Sequence, residues 1–172
     1  MNSSKGSNPL NNLVSSEEFK NAIGHFASGV SIITVRNREV NFGITASAVS
    51  SVSLEPPMLL VCVNKKTGTC HAISEVGSFT VNLLNEGQKE LGLQFSKANT
   101  DKFKGVDVSY GELGNPVLNN TLAQIECRVV EEVTAGTHSI FLAEVHQTNI
   151  NSGDPLVYYR GMFGQFNQAK LI

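Results

Sequence analysis

The chain has 172 residues, 41 % of them hydrophobic and only 16 % charged, with a formal net charge of −2 and a pI near 6.1. That is enough for one ordinary core, and with no Lys/Arg run it excludes nucleic acid and membrane surfaces as expected partners. No apolar run reaches the roughly 18 residues of a membrane span, no secretory h-region follows Lys5, and three cysteines without a C-x-x-C predict neither a disulfide framework nor a zinc site.

Residues 1–14 are polar and predict a loose tail, leaving 15–172 as a single domain. Ser15-Ser-Glu-Glu18 is a capping box, so a helix should follow. Phe19, Ala22, Ile23 and Phe26 make one apolar stripe at helical spacing, and Gly29 should stop it. His25 beside the stripe reads as a structural or surface histidine. Val30–Val35 is a β-branched strand, and a turn at 36–38 predicts a hairpin with the stretch 41–57.

That stretch is the most informative one. Taken as one strand, it places Thr45, Ser47, Ser51 and Ser53 on one face with Gly43 and Val49. Phe42, Ile44, Ala46, Ala48, Val52 and Leu54 share the other face with Ser50, which should be core. The hydroxyl face has no charge and would let a flat polar ligand approach the backbone. A half-exposed edge strand has the same pattern. Pro56-Pro57 should end it.

Met58–Val63 is an apolar strand, 64–69 a polar loop, and 70–76 a short helix capped by Thr69 and ended by Gly77. Ser78–Leu84 is the next strand, and 86–95 a second short helix with Leu91 and Phe95 on one face. Residues 96–120 form the longest irregular stretch, and loops of that length are often functional. Three strands follow at 122–133, 138–149 and 156–166. Strands dominate without βα alternation, so the expected fold is mainly β, an antiparallel barrel with a few short helices.

Nucleotide-fold and hydrolase signatures are missing: no G-x-G-x-x-G follows a strand, no phosphate loop occurs, and there is no G-x-S-x-G elbow. Cys62 and Cys127 read as small strand residues, and His25, His71, His138 and His146 have no metal-ligand spacing, so no metal is expected. A reducing cytoplasm is the expected location. The low charge fraction hints at surface covered in an oligomer.

Three polar islands remain at strand ends: 45–53, 64–67 and 136–138. With Ala27-Ser-Gly-Val-Ser-Ile-Ile-Thr-Val35, Gly43-Ile-Thr-Ala-Ser-Ala48 and Ser51-Val-Ser-Leu-Glu-Pro-Pro57, the chain resembles the short-chain flavin reductase family. Phe79-Thr-Val-Asn-Leu-Leu84, Leu122-Ala-Gln-Ile-Glu-Cys127, Gly136-Thr-His138 and Pro155-Leu-Val-Tyr-Tyr-Arg-Gly161 extend the resemblance over about 19–166. It implies an FMN-binding split β-barrel of Greek-key type, a homodimer with FMN or FAD near the subunit interface, and oxidation of NADH or NADPH. It further implies a separate oxygenase component that receives the reduced flavin.

Carried over by motif, Thr45, Ala46, Ser47 and Ala48 line the isoalloxazine, with Ser51, Val52 and Ser53 nearby. Asn64, Lys66 and Thr67 fall near the ribityl phosphate. Phe95, Ser96 and Lys102 close over the flavin. His138 matches a histidine at the nicotinamide site, and Tyr159 stacks or hydrogen-bonds close by. The family often has Gly-Asp-His where this chain has Gly136-Thr137-His138, which leaves the orientation and basicity of His138 open. Plainer readings stand beside these: Lys66 and Lys102 as surface charges, one of Tyr158 and Tyr159 as core, His138 as a loop-edge residue.

Hydride transfer asks little of the protein beyond holding two rings face to face, so the lack of an acid–base pair fits. An electron carrier with permanently bound FMN is the alternative function, and a non-catalytic flavin-binding module a third.

Overall fold

The computed structural model describes residues 13–98 and 100–167. Residues 1–12 of the expected tail lie outside the described residues. Helix α1 (Ser16–Ile23) begins as expected: Ser15 Oγ accepts from Glu18 N at 3.1 Å and the Glu18 carboxylate accepts from Ser15 N at 2.8 Å. It ends at Gly24, not Gly29, because strand β1 (Ser28–Gly29) is drawn into a sheet. None of its residues is buried, and Phe19, Ile23 and Phe26 stay exposed.

Strands β2 (Ser31–Asn37) and β3 (Val40–Ala46) form the expected hairpin. Its turn is Arg38-Glu39, with φ of +46° and +68°. A two-residue hairpin turn needs left-handed central residues to match strand twist. Strand β4 (Val49–Leu54) then pairs antiparallel with β5 (Pro57–Asn64). Helix α2 (Gly68–Val76) follows, capped by Thr67 rather than Thr69, and Gly77 ends it with φ of +73°.

Strand β6 (Ser78–Leu83) leads through a 3-10 turn at Glu86–Gln88 into α3 (Lys89–Ser96). The stretch expected to be irregular holds a small hairpin, β7 (Val108–Tyr110) with β8 (Pro116–Leu118). The long strands β9 (Ala123–Ala135) and β10 (His138–Ile150) pair next. The last expected strand is instead a hairpin, β11 (Leu156–Tyr159) and β12 (Met162–Gln165), turning at Arg160-Gly161 with positive φ at both.

Seven strands form one antiparallel sheet in the order β3-β2-β6-β9-β10-β5-β4. Its edges, β3 and β4, are consecutive in the chain. A flat sheet would hold them about 29 Å apart at strand spacing. Ala46 and Val49 can be no more than about 11 Å apart along the chain. The sheet therefore has to curl into a barrel. Ser47 and Ala48 bridge the two edges, and Ala48 O accepts from Cys62 N at 3.0 Å. β3 and β4 themselves are not hydrogen-bonded neighbours, which leaves a slit in the wall.

The barrel is filled by Ile33, Val35, Val61, Val63, Phe79, Val81, Cys127 and Phe141, with Cys70, Ala72 and Ile73 of α2 packed among them. A second cluster outside the wall joins Val30, Ile32, Leu84, Phe95, Leu118 and Leu156. β2 is buried on both faces, which is why it reads as a nearly unbroken β-branched run.

The expected core face of 41–57 holds only in its first half. Phe42, Ile44 and Ala46 pack on the barrel core. Val52 and Leu54 are 47 % and 86 % exposed. The chain changes edges at Ser47-Ala48, and pairing slips between Ser51 and Ser53. A one-residue slip sends side chains to the other face.

Candidate functional site

Thr45, Ala46 and Ser47 form a common wall for two clefts, and Asn41, Phe42, Gly43 and Ile44 of β3 line a third. One, of about 200 Å³, sits at the slit and is lined by Ile44, Thr45, Ala46, Ser47, Ala48, Cys62, Val63, Asn64 and His138. The largest, about 650 Å³, shares Thr45, Ala46 and Ser47 and adds Val30, Lys89, Leu93, Ser96, Tyr158, Met162 and Phe163. A third, about 430 Å³, runs from Asn41–Ile44 to Lys66–Thr69 and across to Ser96 and Lys102. Sizes of this order hold small ligands and cofactors.

Two contacts set the depth of the β3 wall. A Cβ at Gly43 would lie 2.5 Å from the Phe95 ring, so only glycine lets α3 come this close. Thr45 Oγ1 donates to Gly92 O at 2.6 Å, fastening the strand to the same helix. Phe95 is wholly buried, edge-on to Phe103 with centroids 5.0 Å apart. It supports the wall from behind and lines none of the three clefts; Ser96, one residue on, lines two of them.

The 64–67 loop is held by its own side chains. Asn64 Oδ1 accepts from Lys66 N at 2.9 Å, and Thr67 Oγ1 donates to Asn64 O at 2.8 Å while accepting from Cys70 N at 3.2 Å. The Thr67 hydroxyl is thus spent on the cap. What the loop offers the third cleft is Lys66 and the first residues of α2, Gly68 and Thr69, where free N–H groups and the helix dipole favour an anion.

Lys102 faces the same cleft and is no free surface charge. Its Nζ donates to Gly43 O at 3.0 Å, and burial holds its pKa below the usual 10.5. Asp101 is the acidic residue lining this cleft among the described residues.

His138 begins β10 opposite Asn64 of β5 and Ala135 of β9, half-buried at the slit. Its Nδ1 lies 2.8 Å from the Thr137 hydroxyl. Beside it, burial pushes the Cys62 thiol up, so it stays protonated and serves as wall.

Other residues singled out from the sequence stand apart. Ser51, Val52 and Ser53 lie on β4 and line none of the three clefts; Ser53 Oγ accepts from Glu55 N at 3.1 Å. Tyr159 points to His25, ring centroids 6.1 Å apart, while Tyr158 lines the largest cleft. Both tyrosines are partly exposed, so neither is core. His25 is a surface residue, its Nδ1 2.8 Å from Asn21 O. Lys89, Tyr158, Met162 and Phe163 were not legible as site residues. Only the docking of α3 and the last hairpin brings them to β3.

Residues 23–167 match the family described as "Flavin reductase like domain". The reductase component of a 4-nitrophenol 4-monooxygenase/4-nitrocatechol 2-monooxygenase from Rhodococcus opacus is 48 % identical over 149 residues, 87 % of this chain and 80 % of that one. An FMN reductase (NADH) from Agrobacterium fabrum is 35 % identical over 153 residues, 89 % of this chain and 87 % of its own. Among solved structures, an NADH:FAD oxidoreductase from Streptomyces globisporus in complex with NAD and FAD fragments superposes with a TM-score of 0.86 at 29 % identity, covering 92 % of this chain and 98 % of that one. In sequence and in its antiparallel barrel, this chain belongs to the flavin reductase like family.

Proposed function

We propose that this protein is an NADH-dependent flavin reductase that accepts FMN or FAD and supplies reduced flavin to a separate monooxygenase component. The observation that carries the reading is the shared wall: Thr45, Ala46 and Ser47 stand between a cleft holding His138 and a larger aromatic-lined cleft, beside a cation-lined one. The residues fit a flavin nucleotide. Ala46, Ser47 and Ala48 add no bulk that would exclude a flat ring, and Gly43 allows none. Lys66, Lys102 and the start of α2 suit a phosphate in the third cleft.

Bound flavin supplies the acceptor for a hydride from nicotinamide, and the two cofactors carry the electronics of that step. The chain's part is to orient and enclose. Backbone N–H groups along the crossing act as preorganised donors to the ring edge. His138 is the catalytic-site residue for the nicotinamide, positioning its carboxamide by a hydrogen bond. Asn64 and Thr67 keep the phosphate loop in one shape. Ser51, Val52, Ser53 and Tyr159 take part through a second subunit or not at all.

A homodimer belongs to the same reading. The exposed stripe of Phe19, Ile23 and Phe26 is an apolar face that a monomer leaves in water. We place one domain over 15–172 in a cytoplasmic setting, in keeping with free thiols at Cys62, Cys70 and Cys127. Among the described residues no helix is long and apolar enough to cross a membrane. A flavin-holding electron carrier is not favoured, since the relatives are named as reductases.

The test is gel filtration followed by NADH oxidation with and without added FMN or FAD. Turnover that depends on added flavin is expected. A protein that elutes yellow and turns over no added flavin would replace the reductase with the carrier.

A further inference from the structure

We propose that Thr137 is a positioning residue that holds His138 as a neutral Nε2–H donor facing the slit cleft; this rests on the nicotinamide role given to His138 above. Thr137 sits at the tip of the β9–β10 hairpin, after Gly136 with φ of +55°. Its carbonyl accepts from Lys65 N at 3.1 Å, which ties the tip to the 64–67 loop. Its hydroxyl is 2.8 Å from His138 Nδ1. Thr137 thus joins two pieces of the site through different atoms, one through the main chain and one through the side chain.

The chemistry turns on which group carries the proton in that contact. A carboxylate at position 137 can only accept. It would demand Nδ1–H and leave Nε2 bare unless the ring were charged. A hydroxyl can donate or accept, so Thr137 admits both tautomers, and a donating Thr137 selects Nε2–H. Among the described residues the Thr137 hydroxyl has no other hydrogen-bond partner, and no carboxylate lies within ion-pair reach of His138. Its cross-strand neighbours, Asn64 and Ala135, carry no charge. With Nδ1 accepting from Thr137, a neutral imidazole carries its single proton on Nε2. His138 lines the slit cleft, Nε2 is the ring nitrogen that Thr137 does not engage, and an N–H there suits a carbonyl acceptor. A nicotinamide carboxamide oxygen has that chemistry. A donating threonine therefore gives this chain a donor histidine without a charged ring.

The experiment pairs a spectrum with kinetics on the full chain. Two-bond ¹⁵N–¹H correlations of labelled histidines report the tautomer, with His138 assigned by its loss in His138→Ala. The parent and Thr137→Ser should show the Nε2–H form. Thr137→Val should lose that bias, and Thr137→Asp should turn the ring to Nδ1–H or to the charged form. Thr137→Val should also raise KM for NADH roughly two- to tenfold, the scale of one neutral hydrogen bond, with kcat changed less and FMN affinity unchanged. Thr137→Ser should restore the parent KM. An Nδ1–H parent, or a Thr137→Val protein with the parent's tautomer, overturns the proposal. A tautomer change with no change in KM overturns its functional half. Should the parent oxidise no NADH with any flavin, the reductase reading falls, and the spectra still decide the Thr137–His138 contact.

Discussion

At the scale of single residues the site works by shape and by hydrogen bonds that are already in place. His138 cannot accept a hydride, so its substitution should cost orientation and not chemistry. We expect His138→Ala to lower kcat/KM for NADH about two- to tenfold, from roughly 0.5–1.5 kcal/mol for a neutral hydrogen bond, with FMN affinity kept. Equal kcat/KM in mutant and parent, with each substrate varied separately, ends the case for a nicotinamide contact. Lys102 carries a pH signature. Burial disfavours its ammonium, so the charge is present at neutral pH and lost as pH rises through a pKa below 10.5. FMN affinity should therefore fall roughly two- to fivefold, the range of a screened ion pair, as pH rises from neutral through that lowered pKa. Lys102→Gln should flatten that dependence in a fluorescence titration; an unchanged slope removes Lys102 from the phosphate site. For the stability of the free protein the sign is opposite: the cost of burying the charge is present below the lowered pKa and relieved as pH climbs toward 10.5.

Between residue and molecule lies the β7–β8 hairpin, which puts Leu118 into the outer apolar cluster. It is laid on the outer face of the barrel by sheet side chains that stand in for a neighbouring strand. Asn82 Oδ1 accepts from Leu118 N at 2.8 Å, and its Nδ2 donates to Ile32 O and Thr34 Oγ1, both at 3.0 Å. Glu126 accepts from Glu112 N and Leu113 N, and a Cβ at Gly111 would collide with that carboxylate. Asn115 bridges Arg36 N and Ser78 Oγ. Removing one such partner strands buried polar groups. Asn82→Ala should destabilise the fold by about 1–3 kcal/mol and shift the urea midpoint without changing the slope. An unchanged midpoint would mean that water replaces the Asn82 amide. The sequence reads as irregular over 96–120 because nothing within that stretch records the strand face of Ser78, Thr80, Asn82, Gln124 and Glu126 on which its hairpin packs. They are buried polar residues: Ser78, Asn82, Gln124 and Glu126 find partners in the hairpin and its loop, while among the described residues the Thr80 hydroxyl has none.

For the whole molecule the exposed apolar surface at α1 is the feature a second subunit would cover. Phe19, at 60 % exposure, and Phe26, at 75 %, contribute nothing to the monomer's core. We expect light scattering at micromolar concentration to give twice the subunit mass. Phe19→Glu with Phe26→Glu should return one subunit without unfolding it. A monomeric, fully active parent would remove the second subunit from the site.

The sequence alone determined the elements and their kind: the capping box of α1, the β2–β3 hairpin, the apolar run of β5, the Gly77 stop and the alternation of β10. Each is set by interactions within a few residues, where periodicity and capping chemistry act. It also carried the family, because Gly43 to Ala48 and Gly136 to His138 keep their local order in the chain. What only the tertiary structure decided is which face each side chain shows and which distant pieces meet. Val52 and Leu54 turned outward because the chain changes sheet edges at Ser47-Ala48, an event that barrel closure imposes. Lys102 became a half-buried ammonium because a loop about sixty residues from β3 folds back onto Gly43 O. Tyr158, not Tyr159, reached the largest cleft because the last hairpin turns at Arg160-Gly161 and packs on α3's side of β3. Such contacts depend on the docking of whole elements, and alternation along one strand holds no record of it.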